Sequence, residues 1–581
     1  MKVHVQVAAL VSVMVWCCLH AVRGANILAV LPWEGRSHWI MHRELLVELA
    51  RRGHNLTVMT PFHQPGDPWE VIRTHAPFVE GGKFDFVEYG SLSPFTQQTV
   101  VSGIGTEVCR RLMDNPGVRD LIDSRQRTYD LLIMEGFFHD CFLAFSHKYR
   151  APTVLTCTFG GGSSWDNHPM GNPYPLAYLP EAGLAYSSSM SLFQKTYNAL
   201  FSLAINLHRV LVYFPVMDEM VREHFGDPSM PPLVELQRNA SLLLVNNHFS
   251  FDYPRPLAPN TVQVAGMHIR PPKALPKDQE DDSRKPTVVL TRLQRQYEAV
   301  RTGTAAVSRS RALAAGVAGA AVSDGAKFRR EQEDLQEFMD AAAEGVIYFS
   351  MGSNVKSTDL SEEVRAVFLK TFARLRQKVL WKLEGDSLPN QPANLRISSW
   401  FPQSDLLAHR NMRLFITHGG MMSLLEALYA GVPLLGVPIF GDQVSNLLRA
   451  RDSGYGLVLH LRNITQESFD WAVNELLTDP RYAENARRLS RLFHDRPEPP
   501  LETAVRSVES VLRHGGARHT RPAALHLGWH QHLLLDVAAF VLLSALSAAA
   551  GAVLAVRFLV RTFFRKSAVP ASSKKKTAKK D

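Results

Sequence analysis

Between Trp400 and Gln443 the chain sets out, in order, an indole, an amide, an imidazole before two glycines, a hydroxyl and two carboxylates. Trp400 offers a flat stacking face, and Gln403 offers both a donor and an acceptor for the edge of a base. His418-Gly419-Gly420 stands before a helical pattern beginning at Met421, and the N–H groups at a helix start attract an anion such as a diphosphate. Ser423 and Glu426, three residues apart, share one face of that helix, the first a phosphate donor and the second an acceptor for ribose hydroxyls. Asp442-Gln443 follow an apolar run, at the strand end where open α/β sheets bind ligands, and suit sugar hydroxyls. Each residue alone has a plainer use: core for Trp400, a turn cap for His418, a solvated carboxylate for Glu426. Their order along the chain is what points to a nucleotide-sugar site.

The elements that must position these groups are short. Residues 413–417 are an apolar run flanked by turn-prone residues and read as a buried parallel strand. A helix over 421–429 and a second strand over 434–440 complete a βαβ unit. The N-terminal end repeats the pattern, with a strand at 26–31, a helix at 39–52 and a strand at 55–60, but without a dinucleotide-binding glycine fingerprint. Further strands are expected at 129–134, 152–158, 241–246, 261–265, 346–350 and 377–381, and residues 187–225 read as apolar helix. The class is α/β.

The stretch resembles the signature of the UDP-glycosyltransferases, membrane-bound enzymes that conjugate small lipophiles. The resemblance runs from Asn26 to the tail and includes Gly171-Asn-Pro173, Gly345-Val-Ile-Tyr-Phe-Ser-Met-Gly-Ser353, Val379-Leu-Trp-Lys382 and Asp495-Arg-Pro497. It implies the GT-B fold, two Rossmann-like domains facing a cleft. An acceptor-binding domain would occupy 25–270 and a UDP-sugar domain 343–515, with a linker at 271–342 between them and a segment at 516–536 returning toward the first domain and the membrane. Ser353 is implied as a further nucleotide contact beside Trp400, Gln403, His418, Gly419, Gly420, Ser423 and Glu426, with Asp442 and Gln443 on the sugar. His418 would donate to the diphosphate and help neutralise the leaving group.

The same resemblance places His38, in Gly35-Arg-Ser-His38, as the base that takes the acceptor proton. Imidazole titrates near neutral pH, and a carboxylate partner would orient the ring just ahead of the helix. In the family this partner is an Asp shortly after the strand that here ends near Met134. Asp140 is the first choice, and Glu135 is the alternative by ungapped spacing. Attack from the face opposite UDP gives inversion. No acidic D-x-D pair or metal-ligand spacing occurs, so no metal and no other cofactor is expected.

Composition bounds the setting. The 581 residues carry a net charge of +9, but residues 557–581 hold nine Lys or Arg against one acidic residue, so the excess belongs to the tail and argues against nucleic acid. Residues 1–24 read as a secretory signal peptide, and 537–556, free of charge and followed by Arg557, Arg561, Arg565 and Lys566, read as one transmembrane helix with the basic side cytosolic. The ending Lys579-Lys580-Asp581 loosely resembles the family's dilysine tail, which implies the endoplasmic reticulum membrane and a lumenal body. Asn55, Asn239 and Asn463 head N-glycosylation sequons. Cys109, Cys141 and Cys157 remain after the signal peptide, an odd number that implies no disulfide framework. Where the family junction would be short, residues 282–334 intervene, basic and rich in Ala, Gly, Ser and Arg, and are expected to be a disordered insertion.

The reading is thus a membrane-anchored hexosyltransferase for conjugation or detoxification. Its donor would be UDP-glucose rather than UDP-glucuronate and its acceptor a small lipophile, with a second copy or a related chain as a further partner. The alternative is a catalytically silent partner subunit that binds nucleotide sugar or a lipophile.

Overall fold

A computed structural model describes residues 24–75, 84–270, 334–353, 355–385, 388, 391–532 and 534–567. The expected signal peptide, the insertion at 282–334 up to residue 333 and the end of the basic tail lie outside the described residues. Strands β1 (Asn26–Val30), β2 (Asn55–Thr60), β3 (Glu70–Arg73), β4 (Leu131–Glu135), β5 (Thr153–Cys157), β6 (Leu242–Val245) and β7 (Thr261–Gln263) build a seven-stranded sheet. Strands β8 (Val346–Ser350), β9 (Lys378–Lys382), β10 (Leu395–Ser398), β11 (Met412–Thr417), β12 (Leu434–Gly436) and β13 (Gly456–Val458) build a six-stranded one. Every pairing in both sheets is parallel.

Parallel strands flanked by helices must be apolar on both faces, and β4, β5 and β8 are buried at every position. The first sheet runs β3-β2-β1-β4-β5-β6-β7, so the strand order reverses between β1 and β4. The second runs β10-β9-β8-β11-β12-β13 and reverses between β8 and β11. Ligands of open α/β sheets bind at such reversals, beyond the carboxyl ends of the strands. The segments that follow β1, β4, β8 and β11 carry His38, Gly136, Ser353 and His418.

The chain ends its second sheet and then returns to the first. Helix Pro500–Arg513 buries Ala504, Val505, Val508 and Val511 in the same core as Ile27, Leu49 and Leu242. Each buried Val is worth about 1.5–3 kcal/mol against exposure. Arg52 fixes the outer face of this helix, with Nη2 2.5 Å from Glu502 and Nη1 3.2 Å from Glu509.

Two described helices are long and apolar enough to cross a membrane. Leu535–Arg565 has a mean hydropathy of 2.3 with none of its most apolar stretch buried, and it contains the expected span 537–556. Leu192–Phe225, with a mean hydropathy of 1.5, packs one face on the first sheet's domain through Phe201, Ile205, Phe214 and Met217.

The cysteine expectation is overturned: Cys109 and Cys141 form a disulfide, and Cys157 is free and buried. The bond joins helix Pro94–Met113 to the 3-10 turn Asp140–Leu143, a proximity that only the packing of that helix beside the end of β4 creates.

Candidate active site

His38 lies in the first turn of helix Arg36–Arg51, not in the loop before it. Gly35 is the N-cap and supplies no side-chain cap, so the helix opens three residues earlier than the apolar pattern suggests. Because β1 and β4 are neighbours, with Val30 beside Met134, the loop after β1 delivers His38 to the end of β4. His38 Nδ1 is 2.8 Å from Glu135 Oε1 and 2.9 Å from Oε2. Thr158, just past β5, donates to Glu135 Oε1 at 2.6 Å. With Nδ1–H given to the carboxylate, Nε2 is the nitrogen left to accept a proton. Burial pushes the Glu135 carboxyl up, but attraction to His38 and the hydrogen bonds from His38 and Thr158 outweigh it and hold it below the usual range, ionised.

Asp140, the first choice as partner, is elsewhere. Phe138 turns the chain with φ 52°, and Asp140 then points away from His38. Its carboxylate accepts from Tyr213 Oη at 2.9 Å and Gln237 Nε2 at 3.1 Å, and lies 3.6 Å from Arg209. That is a structural anchor for the helix through Tyr213. The alternative, Glu135, is the residue that meets His38.

On the other wall, helix Met421–Ala430 starts at Gly420, again without a side-chain cap. Its first N–H groups are therefore available to an anion. The glycines do more than admit a ligand. A Cβ on Gly352 or Gly420 would come within 2.5 Å of the His418 ring, and one on Gly419 within 2.5 Å of Leu447. They make room for the imidazole and seat the helix. Burial, with the Lys382 charge second, depresses the His418 pKa from 6.5 to about 4. At neutral pH His418 is thus an uncharged hydrogen-bond donor and not a cation.

Ser423 lines the cleft, and behind it Gln403 Nε2 donates to Ser423 Oγ at 2.9 Å and to Glu426 at 2.5 Å, while Ser404 donates to Glu426 at 2.8 Å. Burial raises the Glu426 pKa. Trp400 stands 57% exposed, free to stack. Asp442 Oδ2 accepts from Asn446 at 2.7 Å, and Gln443 Oε1 accepts from the N–H groups of Ile439 and Phe440, shaping the loop that presents both to the cleft.

One cleft of about 1420 Å³, counting its open mouth, unites seven of the expected site residues. His38, Ser353, His418, Gly420, Ser423, Asp442 and Gln443 line it; Trp400, Gln403, Gly419 and Glu426 do not form its wall. The half nearest the first sheet is aromatic, with Phe159 and Phe137 centred 4.9 and 5.5 Å from the His38 ring. Sequence reasoning missed Thr158, Asp166 and His268. Thr158 and Asp166 are common residue types, in a turn and in a four-residue helix without a sequence pattern, and His268 is a buried imidazole 3.8 Å from Glu426. Asn55, Asn239 and Asn463 are exposed, although Asn55 already donates to Asn26 and Asn239 accepts from Arg521. Among the described residues no three His, Cys, Asp or Glu side chains gather as a metal site.

The family model "UDP-glucoronosyl and UDP-glucosyl transferase" matches residues 83–287 and 321–569. The chain belongs to this family. Like its members, this transferase moves a sugar from a UDP-sugar donor to an acceptor, and its two facing sheets are the GT-B fold. It is 31% identical to "UDP-glucosyltransferase 2" of Dactylopius coccus over 94% of each chain. It is 32% identical to "UDP-glycosyltransferase UGT5" of the same organism, over 95% of this chain and 96% of that one. The solved glycotransferase of kitacinnamycin shares the fold, with a TM-score of 0.50 and 16% identity over 84% of this chain and 99% of the other.

Proposed function

We propose that the transferase moves glucose from UDP-glucose to a hydroxyl of a small lipophilic acceptor, with inversion to a β-glycoside. The observation that carries this is the pairing of His38 with Glu135 at the centre of a cleft that has a helix N-terminus on one wall and aromatic rings on the other. His38 Nε2 takes the acceptor proton, Glu135 orients the ring and stabilises the imidazolium, and the Gly420 end of its helix, His418 and Ser423 hold the departing diphosphate. Trp400 stacks on the base, Glu426 takes the ribose hydroxyls, and Asp442 and Gln443 read the sugar.

The donor preference has a physical basis. No Lys or Arg is among the described residues that line the cleft, and Asp442 places a half-buried carboxylate there. A glucuronate carboxylate would face the Asp442 carboxylate with no Lys or Arg on the described lining, the Arg449 charge reaching Asp442 from behind it, whereas glucose brings only hydroxyls. The name of the Dactylopius relative, a glucosyltransferase, points the same way.

The chain's single-pass topology, with the apolar helix Leu535–Ser567, supports a membrane-anchored enzyme. We place the body in the lumen of the endoplasmic reticulum and the basic tail in the cytosol, to be checked by protease protection in sealed microsomes. The enzymatic test is UDP release by the full-length protein in detergent, with UDP-glucose and UDP-glucuronate against a panel of phenols. Turnover with UDP-glucose that falls by about a hundredfold or more in His38→Ala is expected. Turnover that His38→Ala leaves untouched would overturn the proposal, and donor binding without transfer would point to a silent partner subunit.

A further inference from the structure

The acceptor half of the cleft is walled by rings. Trp33 and Phe137 are 4.7 Å apart between centroids, Phe137 and Phe159 4.7 Å, Phe137 and Phe138 5.3 Å, and Phe138 and Trp165 6.1 Å. An acceptor with its reacting hydroxyl at His38 would run along these rings toward Trp165. The next residue, Asp166, also lines the cleft. Asp166 and Asp442 are the two carboxylates among the described lining residues, and Asp442 comes from the domain of the second sheet.

Asp166 is held in place by a built polar scaffold. It lies in the short helix Ser164–Asn167, which Asn167 ties down by donating to the carbonyls of Gly161 at 2.9 Å and Ser163 at 2.6 Å. The buried Glu181 accepts from the Ser164 N–H at 3.1 Å and from Ser202 Oγ at 2.5 Å. Ser163 Oγ donates to Asp166 Oδ2, and the Cys157 thiol is a further partner. A carboxylate offers about four acceptor positions, so these two donors leave capacity for a ligand. Burial raises the Asp166 pKa from 3.8 to about 6, against hydrogen bonding from Ser163 and the charges of Arg209 and Arg255. A chamber meant for wholly apolar acceptors would gain nothing from a half-buried carboxylate in its wall. A ligand that donates a hydrogen bond there, or brings positive charge, restores what desolvation took away.

We propose that Asp166 is a specificity-determining residue that selects acceptors carrying a second hydrogen-bond-donating group, a hydroxyl or a protonated amine, at the end remote from the hydroxyl that receives the sugar. This rests on the transferase reading with His38 as base.

The test compares two probes, a biphenyl diol with a hydroxyl at each far end and its monomethyl ether, which keeps the reacting hydroxyl but cannot donate at the other end. Binding to the full-length protein in detergent with UDP present is followed by quenching of tryptophan fluorescence, since Trp33 and Trp165 line the chamber. Transfer from UDP-glucose is measured beside it. A hydrogen bond to a charged group predicts that wild type binds the diol about tenfold to a hundredfold more tightly than the ether. Asp166→Asn keeps the size and the Ser163 bond, and should cut that preference to about twofold by weakening diol binding alone. Wild type that binds both probes alike would overturn the proposal without recourse to any variant. So would an Asp166→Asn variant that weakens both probes equally, because that marks a packing role. If neither probe is glucosylated but the binding preference holds, the assignment of Asp166 stands and the catalytic reading falls.

Discussion

His38 Nδ1 bonds both carboxylate oxygens of Glu135, at 2.8 and 2.9 Å, across the seam where the first sheet reverses its strand order. A Glu at the last position of β4, one methylene longer than the expected Asp, reaches the imidazole. Thr158 steadies the longer side chain from the neighbouring strand end.

Glu135→Gln and Asp140→Asn should therefore separate chemistry from stability. Glu135→Gln leaves UDP binding intact and lowers kcat by about a hundredfold or more, because the amide no longer stabilises the imidazolium. Asp140→Asn should leave kcat/KM within a few-fold of wild type and reduce the melting temperature, since it weakens a buried contact to Arg209, Tyr213 and Gln237 worth about 1–3 kcal/mol. The reverse pattern would return the partner role to Asp140.

A pH dependence follows from His418. Its folded-state pKa of about 4 lies below the ordinary 6.5, so between these values the unfolded chain binds a proton that the folded chain refuses. This contribution to stability is complete above pH 6.5 and is lost progressively as the pH falls toward 4. His418→Gln should flatten the acid limb of a denaturation-midpoint profile in that window and weaken UDP binding at pH 7. An unchanged limb would mean that water reaches the ring.

The disulfide makes a direct claim on conditions. Cys109→Ser, or reduction, should cost about 2–4 kcal/mol of stability, read as a lower denaturant midpoint. Cys157→Ser should respond to reductant in the same way as wild type, since that thiol is free.

Deleting residues 282–334 should leave donor Kd and kcat within about twofold of wild type, a small difference in free energy. The family match stops at 287 and resumes at 321, so residues 288–320 lie outside the shared pattern, while 282–287 and 321–334 lie within it. Loss of UDP binding on deletion would show that the segment takes part in the site.

Much of the site could be read from the chain because its signals are local. Short apolar runs ending in glycine turns gave β11, the helix from Met421 and β12 within a few residues, and His418, Ser423 and Asp442 came with them. The choice between Glu135 and Asp140 was not local. It depends on the β1–β4 register and on a positive φ at Phe138, neither of which the residue types declare. The Cys109–Cys141 bond likewise depends on where one helix lands. Ser163 and Asp166, at the cap and inside a four-residue helix, carry no pattern until the aromatic wall is built around them.

Helix Pro500–Arg513 belongs by sequence to the second half of the chain and by packing to the first. Arg496 adds a bond to the Ala265 carbonyl on the way. A single nick between residues 282 and 334 would thus release no free domain: the C-terminal fragment would keep one of its helices embedded in the core of the N-terminal fragment. The two pieces should copurify and retain a complete cleft, which makes this junction a natural place to divide the enzyme for fragment complementation.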